Sequence, residues 1–164
     1  GESVGATLVA GLSLYASRQN MPQPKGQMLI YPACDNMMSK YPSMRLFSEA
    51  SWPLKNNITM WIEYLKDGKC DLDEYIIPMA AKIDTKLPDT YIEIQEIDTL
   101  RDEALAYYKK LESIPELVHV QYRMVEGGYH GFDEDLHNAF VQGIVEDRMH
   151  LMKKMVSEEK GIGL

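Results

Sequence analysis

The sequence predicts an α/β fold in which helices alternate with the strands of a parallel sheet. Three observations support this prediction. Short apolar runs, rich in β-branched and aromatic residues, recur at residues 27–31, 90–97 and 118–125. Stretches with helical spacing of apolar residues lie before, between and after these runs. The composition, 45% hydrophobic and 26% charged, is that of a globular protein, and 164 residues suffice for one domain or part of one.

The first predicted helix runs from Val4 to Ser17. Apolar residues fall on every side of it, which predicts a helix that is buried all round. It is expected to end at residues 18–20, which two prolines follow. The next apolar run, Gln27 to Tyr31, lies between Gly26 and Pro32. Its length and punctuation favour a strand in a covered parallel sheet.

A long insert, residues 35–86, separates the first two predicted strands. It reads as irregular chain with short helical pieces. Asn57 is predicted to cap a helix that ends at Gly68. Five large apolar residues of the insert are expected to pack in the core, or alternatively to line an acyl or alcohol pocket: Met37, Met38, Tyr41, Phe47 and Trp52.

The second predicted strand, Thr90 to Ile97, ends at Asp98 and precedes a predicted helix from Leu100 to Leu111. The third, Val118 to Val125, alternates polar and apolar residues. Such a strand is covered on one face only, so we expect it near an edge of the sheet. Strands that alternate with helices in this way form parallel sheets with right-handed crossovers.

A last helix is predicted after residues 127–133, running to about Glu159. Its predicted buried stripe consists of Leu136, Phe140, Ile144, Arg148, Leu151 and Met155.

Charge and cysteine content exclude several classes of protein. The net charge is −8 and the basic residues are dispersed, so a nucleic-acid partner is not expected. Cys34 and Cys70 are too few for a disulfide framework and lack zinc-site spacing, which favours reduced thiols in a cytoplasmic protein. We expect no metal and no organic cofactor. The sequence also predicts no membrane-spanning segment and shows no signal peptide.

The opening pentad, GESVG, fits the Gly-x-Ser-x-Gly pattern of a serine on a sharp turn between a strand and a helix. Flanking glycines let the backbone pack closely while the hydroxyl projects into a cleft. The N–H of Val4, at the start of the following helix, is then a candidate donor to an oxyanion. The pentad alone is a weak signal, because Ser3 is equally compatible with an ordinary helix N-cap.

A serine nucleophile needs a histidine to remove its proton and a carboxylate to orient that histidine. Asp98 is the candidate acid, because it lies on a strand-to-helix loop, where open α/β sheets gather functional groups. Capping of the helix is the alternative role for Asp98. Asp102 is a rival acid, but it lies about one turn into the helix and is expected to interact with the helix dipole.

His130 is the candidate base, because it alone among the histidines follows a strand directly and lies between glycines. His119, His137 and His150 are expected to be structural or solvated. The resulting order, serine then aspartate then histidine, is that of the α/β-hydrolase triad. One helix and one strand separate Asp98 from His130, so a right-handed crossover would bring them to the same sheet edge.

The chain resembles the C-terminal half of a hormone-sensitive-lipase-like esterase of the α/β-hydrolase superfamily. The resemblance covers essentially all 164 residues and rests on GESVGATLVAGLSL, QMLIYPACD, LPDTYIEIQEIDTLRDEALAYYKKL and VQYRMVEGGYHGF. It implies the α/β-hydrolase fold, represented by the elbow helix, three strands and crossover helices. It also implies Ser3 as nucleophile, Asp98 as acid, His130 as base and Val4 as one oxyanion donor.

The chain departs from the family pattern at several positions. Glu2 stands where Asp or Thr is usual, Val4-Gly5-Ala6 replaces Ala-Gly-Gly, and Thr99 replaces a frequent proline. Type-B carboxylesterases share a glutamate before the serine, but they usually have a glutamate acid and a longer serine-to-histidine interval. The His-Gly-Gly-Gly loop that supplies further oxyanion donors in the family does not occur in the sequence.

The resemblance therefore implies that residues 1–164 are the C-terminal part of one catalytic domain, with the missing N-terminal half as its partner. The expected activity is hydrolysis of small or short-acyl carboxylic esters through an acyl-enzyme, with the 164-residue chain alone nearly inactive. A homo-oligomer is compatible with the sequence. Two alternatives remain open: a prolyl-oligopeptidase-type serine peptidase and a non-catalytic, hydrolase-like interaction fragment.

Overall fold

The computed structural model describes residues 1–66 and 73–157. Three features of the sequence analysis lie outside the described residues: Cys70, the predicted helix end at Gly68 and the predicted helix end at Glu159. In chain order the helices and strands are α1 (Val4–Arg18), β1 (Gly26–Ile30), α2 (Pro42–Leu46), α3 (Leu54–Tyr64), α4 (Asp73–Ile76), β2 (Asp89–Ile97), α5 (Arg101–Glu112), β3 (Val120–Tyr129) and α6 (Ala139–Val156).

The three strands form a parallel sheet in the order β1-β2-β3, so the predicted α/β class and parallel pairing are confirmed. In register, Gln27 lies opposite Thr90, which lies opposite Val120. β3 forms one edge of the described sheet, as its alternating sequence predicted. On the far side of β1, Ile30 donates its N–H to the Gly1 carbonyl (2.9 Å) and accepts from the Ser3 N–H (2.9 Å). The first residues of the chain therefore extend the sheet beyond β1 in a parallel sense.

Helices cover both faces of the sheet. On one face, α1 and α5 pack against alternate residues of the central strand, including Ile92 and Ile94. On the other face, α6 packs against Tyr91 and Val125. The insert forms a third apolar cluster, in which Trp61 of α3 is buried beside Leu100. Because β2 is covered on both faces, its sequence reads as a nearly continuous buried run.

The prediction that α1 is buried all round is wrong. Leu8 and Leu12 are 54% and 64% exposed, and Tyr15 is exposed beside them. The side that meets the sheet carries small residues, including Ala6 and Ala10, which let the helix approach closely. α4 packs against this side of α1 at Gly11 and Tyr15, where the Tyr15 and Tyr75 ring centroids are 5.4 Å apart, but it leaves Leu8 and Leu12 largely exposed. Apolar residues on all sides of a helix cannot reveal this.

α3 begins at Leu54, four residues before the predicted start, and its N-cap is Pro53, whose backbone is extended (φ −64°, ψ 149°). Asn57 is therefore not a cap. Its buried side chain accepts a hydrogen bond from Trp52 Nε1 (3.3 Å) and donates to Met44 Sδ (3.7 Å). Asn57 instead links α3 to other residues of the insert through these two hydrogen bonds.

β3 continues to Tyr129, beyond the predicted end at Val125. Gly127 lies inside the strand at a bulge, with a φ of 69° that favours glycine. Tyr122, one of the apolar residues in the alternation from which a covered face was predicted, is exposed. Its ring packs against Tyr108 of α5, with ring centroids 4.4 Å apart and the ring planes tilted by 46°.

α6 begins at Ala139, after Asn138 caps it by accepting from the Phe140 N–H (2.9 Å). Of the predicted stripe, Leu136 and Phe140 are exposed. Four of its members face the sheet or the neighbouring apolar cluster: Ile144, Arg148, Leu151 and Met155.

We expect Ile92→Ala to lower the free energy of unfolding by about 2 to 5 kcal/mol, because Ile92 is fully buried in the central strand. Ile62→Ala is the matched control. Ile62 is 60% exposed, so the same change there should cost less than about 0.5 kcal/mol. Chemical denaturation of both variants measures the difference, and equal losses would contradict this assignment of the core.

Candidate active site

Ser3 lies at the turn between the residues paired with β1 and helix α1. Its backbone has φ 50° and ψ −126°, a left-handed conformation that a residue with a β-carbon adopts only under strain. A β-carbon at Gly1 would lie 2.5 Å from the Gly5 carbonyl oxygen, so this turn requires glycine at position 1. The expectation of close packing is wrong for Gly5, where an added β-carbon would meet nothing within 4 Å among the described residues.

Asp98 follows β2 directly, and its carboxylate is 1% exposed. One oxygen, Oδ1, accepts a hydrogen bond from the Leu100 N–H (2.9 Å). The other, Oδ2, lies 2.9 Å from His130 Nδ1. The backbone bond fixes the carboxylate, so the second oxygen is held toward the imidazole.

His130 follows β3, and the structure holds it from several sides. Ser51 Oγ donates to the His130 carbonyl (2.9 Å). The imidazole packs against two aromatic rings, with centroids 4.8 Å from Tyr31 and 5.4 Å from Trp52. His130 Nε2 lies 3.0 Å from Ser3 Oγ.

The structure thus brings Ser3, His130 and Asp98 into one hydrogen-bonded line, as the sequence predicted for their positions. When Nδ1 carries the proton it donates to Asp98, and Nε2 is then free to accept the hydroxyl proton of Ser3. This arrangement can deprotonate the hydroxyl as it attacks an electrophile. Val4 is the first residue of α1, so its N–H has no acceptor within the helix. This N–H lies at the positive end of the helix dipole.

The remaining histidines and the rival aspartate lie apart from this line. His119, His137 and His150 are exposed. Asp102 accepts hydrogen bonds from the Ser43 N–H (2.8 Å) and from Arg101 Nε (2.9 Å), within the first turn of α5.

Sequence reasoning missed how the insert is fastened to the acid loop. The Thr99 hydroxyl lies 3.0 Å from the Phe47 carbonyl and 2.7 Å from the Trp52 carbonyl. Ser43 Oγ donates to the Thr99 carbonyl (2.8 Å). These bonds hold Trp52 beside His130, and the only signal in the sequence was threonine at a position where the family often has proline.

The insert residues divide between core and surface. Tyr41 is buried, and its hydroxyl donates to Asp35 Oδ2 (2.6 Å), so the core interpretation holds for it. Met37 is exposed. Phe47 lies under the Arg101 guanidinium, 5.0 Å from ring centroid to Cζ.

Glu103, in the first turn of α5, joins the acid segment to the loop that follows β1. It is fully buried, and Oε1 accepts from the Cys34 N–H (2.8 Å). Oε2 has no partner among the described residues. Burial raises the pKa of Glu103 well above its usual value, and the nearby Asp35 carboxylate adds to this shift.

Within residues 1–66 and 73–157 no group of three or more His, Cys, Asp or Glu side chains is arranged to hold a metal ion. No helix in this part of the chain combines the length and apolar character needed to cross a bilayer.

The chain belongs to the α/β-hydrolase fold family, whose sequence model matches residues 1–134. Within that family its motifs are those of the hormone-sensitive-lipase-like esterases. It is 32% identical to Lipase 2 of Moraxella sp. (strain TA144) over 117 residues, covering 71% of this chain and 26% of that protein. It is 28% identical to a putative α/β hydrolase, R526, of Acanthamoeba polyphaga mimivirus over 120 residues, covering 70% of this chain and 34% of that protein.

Solved structures show the same fold. A bacterial heroin esterase superimposes with a TM-score of 0.86 at 27% identity, covering 96% of this chain and 51% of that one. Esterase LipW from Mycobacterium marinum gives a TM-score of 0.84 at 27% identity, covering 94% and 48%. The chain therefore spans about half the length of these structures and a smaller share of the two curated relatives.

The raised pKa of Glu103 predicts a pH-dependent stability. The folded state favours the protonated carboxyl, so this contribution to stability is complete below the unfolded pKa of about 4.3 and is lost as pH rises through the folded pKa. Between pH 4 and pH 8, Glu103→Gln should therefore gain in unfolding free energy relative to the parent protein.

Denaturant titrations at several pH values measure this difference, with Glu116→Gln as the exposed control. A difference between Glu103→Gln and the parent protein that is the same at pH 4 and pH 8 would contradict the prediction.

Proposed function

We propose that this chain carries the catalytic residues of a carboxylic ester hydrolase. Ser3 is the nucleophile, His130 the general base and Asp98 the residue that orients the imidazole. The observation that carries the proposal is the pair of distances that join them, 3.0 Å from Ser3 Oγ to His130 Nε2 and 2.9 Å from His130 Nδ1 to Asp98 Oδ2. Membership of a family with esterase and lipase relatives supports the reaction class.

In the proposed mechanism Ser3 Oγ attacks the carbonyl carbon of the ester while His130 Nε2 takes the hydroxyl proton. Asp98 holds the tautomer and stabilises the imidazolium. The tetrahedral intermediate collapses to an acyl-enzyme, and the departing alcohol takes the proton from Nε2. Water, deprotonated by the same nitrogen, then attacks the acyl group, and Ser3 leaves with its proton restored as the acid is released.

The oxyanion of each tetrahedral intermediate needs hydrogen-bond donors. The Val4 N–H is one, and the positive end of the α1 dipole lies in the same place. The 164 residues contain no His-Gly-Gly-Gly stretch, so the other donors of a complete oxyanion hole come from outside this sequence.

We further propose small or short-acyl esters as substrates. The similar proteins of solved structure are described as esterases, which supports this class. Residues 1–164 act as the C-terminal part of a single catalytic domain, with residues 35–86 as an insert. A cytoplasmic location and assembly into a homo-oligomer belong to the same proposal, and the location rests on the low cysteine content.

The 164-residue chain alone should show almost no hydrolysis of p-nitrophenyl acetate. Loss of one oxyanion donor typically costs about 100- to 1000-fold in rate, and the His-Gly-Gly-Gly stretch that supplies further donors in the family does not occur in the 164 residues. Initial rates of the purified chain, compared with those of the complete protein that contains it, measure the effect. Robust hydrolysis by the chain alone, abolished in Ser3→Ala, would contradict the prediction.

In the complete protein we expect Ser3→Ala, His130→Ala and Asp98→Asn each to lower kcat by about 10⁴-fold or more, because the three side chains act as a unit. Combining two of these changes should cost little more than one. His150→Ala is the control, since His150 is exposed on α6. Steady-state kinetics with p-nitrophenyl acetate measure all four variants.

The same samples distinguish the remaining functions. Preferential cleavage of dipeptide substrates over short acyl esters would indicate a prolyl-oligopeptidase-type peptidase. A correctly folded complete protein whose Ser3 does not react with a fluorophosphonate probe would indicate a non-catalytic interaction protein. Labelling at Ser3 together with ester preference supports the proposed esterase.

A further inference from the structure

Tyr31 links the two loops that carry Ser3 and His130. It is the residue directly after β1, and its hydroxyl lies 3.1 Å from Glu2 Oε2 and 2.8 Å from Asp133 Oδ1. Glu2 directly precedes Ser3, and Asp133 is three residues after His130. One hydroxyl therefore contacts both the turn that carries Ser3 and the loop that carries His130.

Tyr31 is held firmly by burial and by its backbone. The residue is 4% exposed, and its backbone N–H donates to the Glu93 carbonyl (2.8 Å). Its φ is 36°, a conformation that residues with a β-carbon rarely adopt. Burial, with the neighbouring Asp133 carboxylate, raises the pKa of Tyr31 above its usual value, so the hydroxyl keeps its proton for donation.

Asp133 is anchored in turn by Arg148 of α6, whose guanidinium donates to Asp133 Oδ2. The same guanidinium binds Glu93 of β2 through two bonds, 2.6 Å to Oε1 and 3.0 Å to Oε2. Glu93 is completely buried. A bidentate pair of this kind fixes direction as well as distance. The chain of contacts from Glu93 through Arg148 and Asp133 to Tyr31 therefore fixes the position of the Tyr31 hydroxyl relative to the sheet.

We propose that the Tyr31 hydroxyl is a positioning group for the reaction, which holds Ser3 and His130 at hydrogen-bonding distance by bridging Glu2 and Asp133. This inference rests on the proposed esterase function. The hydroxyl has one proton, so the bridge is a single hydrogen bond shared between two carboxylate acceptors, with the closer contact to Asp133 (2.8 Å) and the longer one to Glu2 (3.1 Å). It ties the two loops together and transfers no proton to substrate. The Tyr31 ring also packs on His130, and the test has to separate the ring from the hydroxyl.

Tyr31→Phe makes this separation because it keeps the ring and removes the oxygen. In the complete protein we expect kcat for p-nitrophenyl acetate to fall at least 10-fold while KM changes less than 2-fold. Tyr41→Phe is the matched control, because Tyr41 is also buried and donates its hydroxyl to a carboxylate, Asp35, within the insert cluster. It should lower thermal stability to a similar extent and leave kcat unchanged. Equal kcat values for Tyr31→Phe and the parent protein would overturn the proposal.

The ¹⁵N chemical shift of His130 Nε2 gives a readout that does not need turnover, because it reports the hydrogen bond with Ser3. In Tyr31→Phe it should move toward its value in Ser3→Ala, whereas in Tyr41→Phe it should match the parent protein. If the parent protein does not hydrolyse esters or react with fluorophosphonate, the proposed function fails. The chemical shift alone then tests whether Tyr31 positions Ser3 and His130. A shift unchanged by Tyr31→Phe overturns the positioning role.

Discussion

The parallel pairing of β1, β2 and β3 is the constraint on which the site depends. Because all three strands run in one direction, the chain leaves each of them at the same edge of the sheet. Asp98 follows β2 and His130 follows β3 at that edge. The first residues of the chain pair with the far side of β1, which brings Ser3 to the same place. Three loops that are distant in sequence therefore meet where the strands end.

Buried charged residues stabilise this end of the sheet, although burying them costs desolvation free energy. Glu93 carries a carboxylate inside the sheet, where desolvation is unfavourable, and the bidentate bond from Arg148 together with hydrogen bonds from Tyr91 and Gln95 offsets that penalty. Removing one partner of such a pair typically costs about 3 to 5 kcal/mol, because it leaves an uncompensated charge. The pair ties α6 to the central strand, and through Asp133 it reaches the loop that carries His130.

Much of this arrangement is predictable from the sequence. Periodicity located the strands and most helices, and the position of each candidate residue after a strand or before a helix predicted that Ser3, Asp98 and His130 would meet. Predictions failed where the outcome depends on what lies opposite a residue. The apolar residues of α1 do not show that Leu8 and Leu12 face outward, and Arg148 appears in a predicted buried stripe without any sign of Glu93 as its partner. The bonds from Thr99 to the insert likewise join residues far apart in sequence, for which local patterns hold no information.

Formation of an acyl-enzyme on Ser3 is the central chemical claim, and trapping that intermediate tests it most directly. The complete protein is mixed with p-nitrophenyl acetate, quenched in acid within the first turnover and digested, and the peptides are fragmented in a mass spectrometer. Our account predicts an acetyl group on Ser3, resolved from Ser13 and Ser17 in the same segment, and no adduct at this position in His130→Ala. Hydrolysis that proceeds with the acetyl group on another residue, or with no covalent adduct, would contradict the account.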